Sequence, residues 1–188
     1  MSQVLISHPD QWIGIPESFP NDGWATSEDW ARELVEELAA EFPPPVEDEV
    51  ATLTAAFVEV ADSRSSRGAA RIYASIDGWS GPMYLADLVL AGAGAEGALS
   101  LAELVGIDDP EAIRVPTIEE FVTESGLSGI VVTRYVKPEN FEGVIARIDY
   151  AWRNGNDLIR LYTAQIDFVD FERIAPRLEQ LARAVRVV

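Results

Sequence analysis

The hydrophobic positions change period several times along the chain, and each change marks an element. Over about residues 27–42, Ala31, Leu34, Val35, Leu38 and Phe42 recur at the i, i+3, i+4 spacing of one buried helical stripe. Glu33, Glu36, Glu37 and Glu41 fall mostly on the opposite side. Thr26 with Asp29 three residues on gives a helix-start signal, and Pro43-Pro44-Pro45 removes the donors needed to continue. From Val50 to about residue 61 the period drops to two: Leu53, Ala55 and Phe57 alternate with Thr52, Thr54, Ala56 and Val58, which predicts a strand. A polar turn over 62–68 leads to a second strand at about 69–77, with Ala70, Ile72, Ala74 and Ile76 on one side. Asp77-Gly78 and Gly81-Pro82 punctuate the next turn. Residues 83–91 alternate weakly and fit strand or helix. Residues 92–111 are irregular apart from a helical turn near Ser100–Leu104, and the alternation of Ile118, Glu120 and Val122 favours a strand over the capping-box reading of Thr117 with Glu120.

The C-terminal third carries the clearest signals. Ile130, Val132 and Val136 predict a strand, Pro138–Gly143 a turn, and the runs 144–152 and 158–168 flank Asn154-Gly155, a strong hairpin signal. Centring the turn on those two residues sets Tyr150 opposite Ile159 and Ile148 opposite Leu161 on one face. On the other it sets Asp149 opposite Arg160 and Arg147 opposite Tyr162, an apolar ladder backed by a charged one. A last helix over about 170–185 starts at Asp170 and buries Phe171, Ile174, Leu178, Leu181 and Val185, with Pro176 in its early part. Meandering strands with helices at both ends predict a single α+β domain: a mainly antiparallel, bent sheet flanked by an N-terminal and a C-terminal helix. Its acidic half runs to about residue 110, and the C-terminal meander plus helix covers about 112–188.

Pro9-Asp10-Gln11-Trp12-Ile13-Gly14-Ile15-Pro16 is similar to the opening strand of the Mog1p/PsbP-like superfamily. The C-terminal meander, its Asn154-Gly155 hairpin and the closing helix with Pro176 resemble the same group. The resemblance implies a bent antiparallel sheet flanked by helices, used for binding, adaptor or chaperone-like roles. It transfers no functional residues.

Charge then narrows the function. The chain of 188 residues holds 32 acids against 14 Lys plus Arg, a net of −18. Residues 1–50 carry −11 with Arg32 as their one base, residues 51–130 carry −8, and residues 131–188 carry +1. Such a balance repels phosphate backbones and anionic membrane surfaces, so neither nucleic acid nor membrane is expected as a partner. Thirteen of the 14 bases are Arg, with Lys137 the exception, a bias that GC-rich coding also produces. With no Cys and only His8, disulfides, thiol nucleophiles and multi-imidazole metal sites are ruled out. The N-terminus shows neither a basic region nor an apolar stretch of signal-peptide length, and no window reaches a membrane span, so a cytoplasmic location is expected.

The remaining motifs have stronger structural than chemical readings. Gly92-Ala93-Gly94-Ala95-Glu96-Gly97 spells the dinucleotide fingerprint, but it precedes a meander instead of βαβ units, and Glu96 would oppose the phosphates. His8 beside Asp10 lacks a nucleophile partner. Asp108-Asp109-Pro110-Glu111 reads as a helix N-cap and first turn, and Glu119-Glu120-Glu124 as solvated charge. Of five tryptophans, Trp12, Trp24, Trp30, Trp79 and Trp152, Trp24 and Trp79 sit where turns could present them to a partner. No catalytic residue, metal or cofactor is expected. The expected activity is non-catalytic recognition of a basic protein partner by an acidic N-terminal surface of Trp24, Glu33, Glu36, Glu37, Glu41, Glu47, Asp48 and Glu49, formed if the chain folds back after the prolines. A cofactor-independent enzyme with paired carboxylates between sheet and helices, and an acidic nucleic-acid mimic, are the alternatives. Oligomeric state is not specified by the sequence.

Overall fold

Apolar strips of opposite facing along the strands need cover on both sides, and the computed structural model supplies it in layers. It describes residues 4–7, 9–42, 46–92 and 100–187. The elements are β1 (Val4–Ile6), β2 (Ile13–Ile15), α1 (Ser27–Glu41), α2 (Glu47–Asp62), α3 (Arg64–Arg67), β3 (Arg71–Ile76), β4 (Met83–Gly92), α4 (Leu101–Val105), β5 (Thr117–Val122), β6 (Ser128–Val136), β7 (Ile145–Asn154), β8 (Asp157–Gln165), α5 (Phe168–Arg183) and β9 (Val185–Val187). Seven strands form one sheet in the order β2-β3-β4-β8-β7-β6-β5, every neighbour antiparallel. The β4–β8 pairing joins strands from the acidic half and the C-terminal meander. A separate β1–β9 pair ties the two ends of the chain together. The α+β class and the mainly antiparallel sheet are as the sequence predicts.

One face of the sheet is closed by α5, whose Phe171, Ile174, Leu178 and Leu181 pack on Tyr84, Leu88, Ile148, Tyr150, Trp152, Ile159 and Leu161. Trp12 is buried in the same layer and donates its indole N–H to the Arg177 carbonyl at 3.1 Å. The second face is covered in two pieces. The α1–α2 hairpin sets Trp30, Val35, Leu53 and Phe57 on Ile15, Ile72 and Ala74, while α4 sets Val105 on Val132 and Ala151. Between those pieces the centre of the face carries charged side chains.

The helix over 27–42 forms as expected, with the Thr26 hydroxyl accepting from the Asp29 N–H at 3.2 Å. Residues 50–61 do not form the expected strand; they are the body of α2. Leu53, Phe57, Val60 and Ala61 are its buried residues, a helical spacing that the Ala and Thr between them had masked as alternation. Thr52 and Thr54 satisfy their hydroxyls on the Asp48 and Val50 carbonyls, at 2.7 and 2.9 Å, one turn back. Residues 83–91 resolve as strand, and 117–122 as the strand that alternation favoured. The segment from Asp108 to Glu111 is a turn instead of a helix start: Asp109 Oδ1 accepts from the Glu111 N–H at 3.0 Å. The closing helix begins at Phe168 with Asp167, not Asp170, as its cap, and Val185 leaves it for β9.

The hairpin forms, with a different register. Asn154 pairs with Asp157, so Gly155 and Asn156 make the turn, and Tyr150 faces Leu161 while Asp149 faces Tyr162. Gly155 sits at φ +56°, and a glycine in the first central position suits a II′ turn, which moves the turn centre by one residue. The partner strand shifts by two, so every side chain keeps its predicted face. Asp149 therefore meets Arg160 diagonally.

Candidate functional site

The helical hairpin gathers most of the acids that the sequence singles out. Ser27 Oγ, at the start of α1, donates to Asp62 Oδ1 at the end of α2 at 2.8 Å, so the two helices run antiparallel and the chain does fold back. Glu33, Glu36, Glu37 and Glu41 on α1 and Asp48 on α2 are exposed. Glu47 opens α2, and Glu49 turns back to accept from the Val46 N–H at 3.4 Å. Trp24 is half-buried at the hairpin's base and donates its indole N–H to Glu33 Oε2 at 2.8 Å. Arg32 is bound by Asp29 at 2.7 Å, and that guanidinium holds the Asp29 carboxyl below its ordinary range. The last turn of α1 contains no base, so Glu41 stands at the negative end of the helix dipole without compensation. Phe42 and Val46, exposed at 47% and 64%, sit at the tip where α1 passes to α2. His8 and the Ala93–Gly97 part of the glycine-rich run lie outside the described residues; Gly92 ends β4. Trp79 packs on the hairpin's core layer and is not free in its turn.

The second candidate is the charged centre of the sheet's second face. Asp87 on β4, Tyr162 on β8 and Asp149 on β7 lie in one cross-strand row, and Arg147 and Arg134 are neighbours in the next. Asp87 is buried and accepts from Arg67 Nε at 3.0 Å and Nη2 at 2.7 Å. That carboxylate raises the Arg67 pKa, against the opposing effect of burial. Asp149 is fully buried; its Oδ1 accepts from Arg160 Nε at 2.8 Å and from Arg160 Nη2, and its Oδ2 from Arg134 Nε at 3.4 Å. Arg134 also donates to Asp109 Oδ2 at 2.8 Å and to the Gly106 carbonyl at 3.0 Å, which locks the segment after α4 onto the strip. Burial, followed by the charge of neighbouring Asp87, pushes up the pKa of Tyr162. Its ring lies 4.6 Å from the Arg160 guanidinium carbon and 5.1 Å from that of Arg147. Arg147 is the exception in the network: its Nε is buried without a partner, and its nearest carboxylate oxygen, on Asp149, is 4.0 Å from Nη2.

Two cavities open beside these groups and under the helix. One, about 420 Å³, lies where β4 and β8 part: their ladder stops at Asp87–Tyr162, and Thr163 Oγ1 reaches across to the Leu85 carbonyl at 2.7 Å. Arg67, Met83, Leu85, Tyr162, Ala164 and Gln165 line it with Asp87 and Thr163. The other, about 460 Å³, lies between α5 and the β5–β7 side of the sheet, with Glu119, Glu179, Arg183, Phe121 and Tyr150 among its walls. Burial pushes the Tyr150 hydroxyl well above its ordinary range, so it is a neutral donor there. Among the described residues no group of three or more His, Cys, Asp or Glu side chains could hold a metal ion.

Sequence reasoning had placed Asp149, Arg160 and Arg147 on one charged ladder but missed Asp87, Arg67, Arg134 and Asp109. The signal for Arg134 was the alternation of charged with apolar residues in β6–β8, which reads as a solvent face until α4 and the hairpin are laid on it; Asp87 on β4, Arg67 on α3 and Asp109 after α4 carry no such signal.

No known protein family matches the chain, and no curated protein matches its sequence. Solved structures do. The crystal structure of LpqN, involved in cell envelope biogenesis of Mycobacterium tuberculosis, aligns with 100% of this chain and 84% of its own, with a TM-score of 0.51 at 8% identity. The chain shares the fold of LpqN. The solution structure of cyanobacterial PsbP (CyanoP) from Synechocystis covers 100% of this chain and 92% of its own, with a TM-score of 0.44 at 9% identity. The resemblance seen in the opening strand and the C-terminal meander holds at the level of the fold. No helix among the described residues is long and apolar enough to cross a membrane.

Proposed function

We propose that this is a non-catalytic binding protein that recognises a basic protein partner through the acidic α1–α2 hairpin. The observation that carries the reading is the hairpin tip. Exposed Glu36, Glu37, Glu41 and Asp48 adjoin exposed Phe42 and Val46, so charge and apolar contact lie on one surface. Uncompensated acids at the C-terminal end of α1 raise the free energy of the free protein, and a cationic partner relieves that repulsion. The enzyme alternative finds less support. Asp87 and Asp149, the deeply buried carboxylates, have their oxygens taken by guanidinium N–H groups and are not poised for proton transfer.

A fluorescent Arg/Lys-rich peptide titrated against the protein tests this by anisotropy. Binding should weaken steeply as salt rises, and the combined Glu33→Gln, Glu36→Gln, Glu37→Gln and Glu41→Gln variant should lose it. Glu119→Gln, Glu120→Gln, Glu139→Gln and Glu142→Gln remove equal charge from exposed sites elsewhere. If that second variant loses the peptide equally, net charge and not the hairpin governs binding, and the reading fails.

A further inference from the structure

The charged strip contains four guanidiniums, Arg67, Arg134, Arg147 and Arg160, against three carboxylates, Asp87, Asp109 and Asp149. In a chain of net −18 this local excess of positive charge is unusual. The three carboxylates are bound at 2.7–2.8 Å by Arg67, Arg134 and Arg160. Arg147 is left over. It is held by packing against Tyr162, with its Nε–H buried and donating to nothing. A partly buried cation whose nearest carboxylate oxygen is 4.0 Å away and already bound by Arg160 is poorly compensated, its like-charged neighbours add to the cost, and the fold retains it nonetheless. Burial, reinforced by the Arg134 and Arg160 charges, lowers the Arg147 pKa, and Asp149 opposes this only in part.

The position of Arg147 gives the surplus charge a use. Its direct cross-strand partner is Ala164, and it packs on Tyr162; both residues line the cavity at the β4–β8 fork. That cavity, about 420 Å³, falls within the ~300–1,000 Å³ typical of small-molecule sites. Its walls combine apolar Met83, Leu85 and Ala164 with the Gln165 amide, and its one carboxylate, Asp87, has both oxygens bound by Arg67. We propose that this cavity binds a small organic carboxylate, whose apolar body fills the fork and whose charge lies against the Tyr162–Ala164 wall, beside which Arg147 stands. The site is separate from the acidic hairpin surface and does not depend on it.

Phenylacetate is a suitable probe, followed through the Arg147 Nε–Hε resonance by heteronuclear NMR. The expected result is a saturable shift of that resonance. Arg147→Gln and Ala164→Leu should each weaken binding at least about tenfold, with an unchanged fold by circular dichroism. Ala164 is exposed, so the leucine plugs the fork without disturbing the strip. No shift of the Arg147 resonance, or equal affinity in Arg147→Gln, overturns the proposal. Equal binding of neutral 2-phenylethanol overturns the role of the charge. Equal shifts with sulfate that survive Ala164→Leu mean an adventitious ion only, and also overturn it.

Discussion

Asp149→Asn changes the hub of the charged strip with almost no change in volume. The side chain has no solvent exposure, and its carboxylate accepts two bonds from Arg160 and one from Arg134. Removing one partner of a buried ion pair typically costs about 3–5 kcal/mol, because the other charge stays buried and unpaired. The strip distributes that cost unevenly. Arg134 keeps Asp109 at 2.8 Å and the Gly106 carbonyl at 3.0 Å, so it loses little. Arg160, whose side chain is 16% exposed, loses its counterion, and Arg147 loses its nearest carboxylate. The expected destabilisation is therefore toward the lower end, about 3 kcal/mol. With a urea m-value of about 2 kcal/mol/M for a domain of this size, the unfolding midpoint should fall by about 1.5 M. Equilibrium urea unfolding followed by tryptophan fluorescence measures it. A cycle with Arg160→Met should return a coupling of about 2 kcal/mol, since the two residues share one network. Asp108→Asn, at an exposed carboxylate, should change stability by no more than about 0.5 kcal/mol. If Asp149→Asn lies within about 1 kcal/mol of the parent, the strip is not a buried ion-pair network and the reasoning fails.

Two further outcomes follow from geometry. At Gly129 an added Cβ would meet the Ala151 carbonyl at 2.2 Å and the Trp152 ring at 2.5 Å, so Gly129→Ala should destabilise by about 3 kcal/mol in the same assay; a neutral result would place β6 and β7 in a different register. The Glu103 carboxylate accepts from the Ser100 backbone N–H at 2.7 Å, and this bond, with that of the Ser100 side chain, lowers its pKa. A carboxyl with a depressed folded pKa stabilises the cap above its unfolded value and loses that contribution as pH falls through the folded one. The Ser100 amide shift should accordingly titrate at a midpoint below the ordinary glutamate range, and a midpoint at or above that range would show that the capping box does not form.

What could be read from the sequence was whatever local period and caps determine. The stripe of Ala31, Leu34, Val35 and Leu38 with its Thr26 cap, the strands around Gly155, and the apolar face of α5 are written in residues a turn or a pleat apart. The acids of the hairpin were visible for the same reason, since i, i+3 and i+4 positions share a helix face wherever the helix lies. Residues 50–61 were misread because Ala and Thr fit either period; only the layer of α1 and β3 beneath Leu53 and Phe57 selects the helix. The hairpin register turned on which residue takes the left-handed angle, and the glycine at 155 took it in the first central position. The charged strip lay furthest from view. Arg134, Arg147, Asp149 and Arg160 alternate with apolar residues as a solvated face does, and nothing local distinguishes the two. Their burial is decided by α4 and the helical hairpin, which cover the two flanks of that face and leave its centre to be satisfied by ion pairs. The sequence by itself thus determined the elements whose period fits one structure only, and which acids share a face of α1. The tertiary structure alone decided which charges leave water, because burial depends on what arrives from elsewhere in the chain.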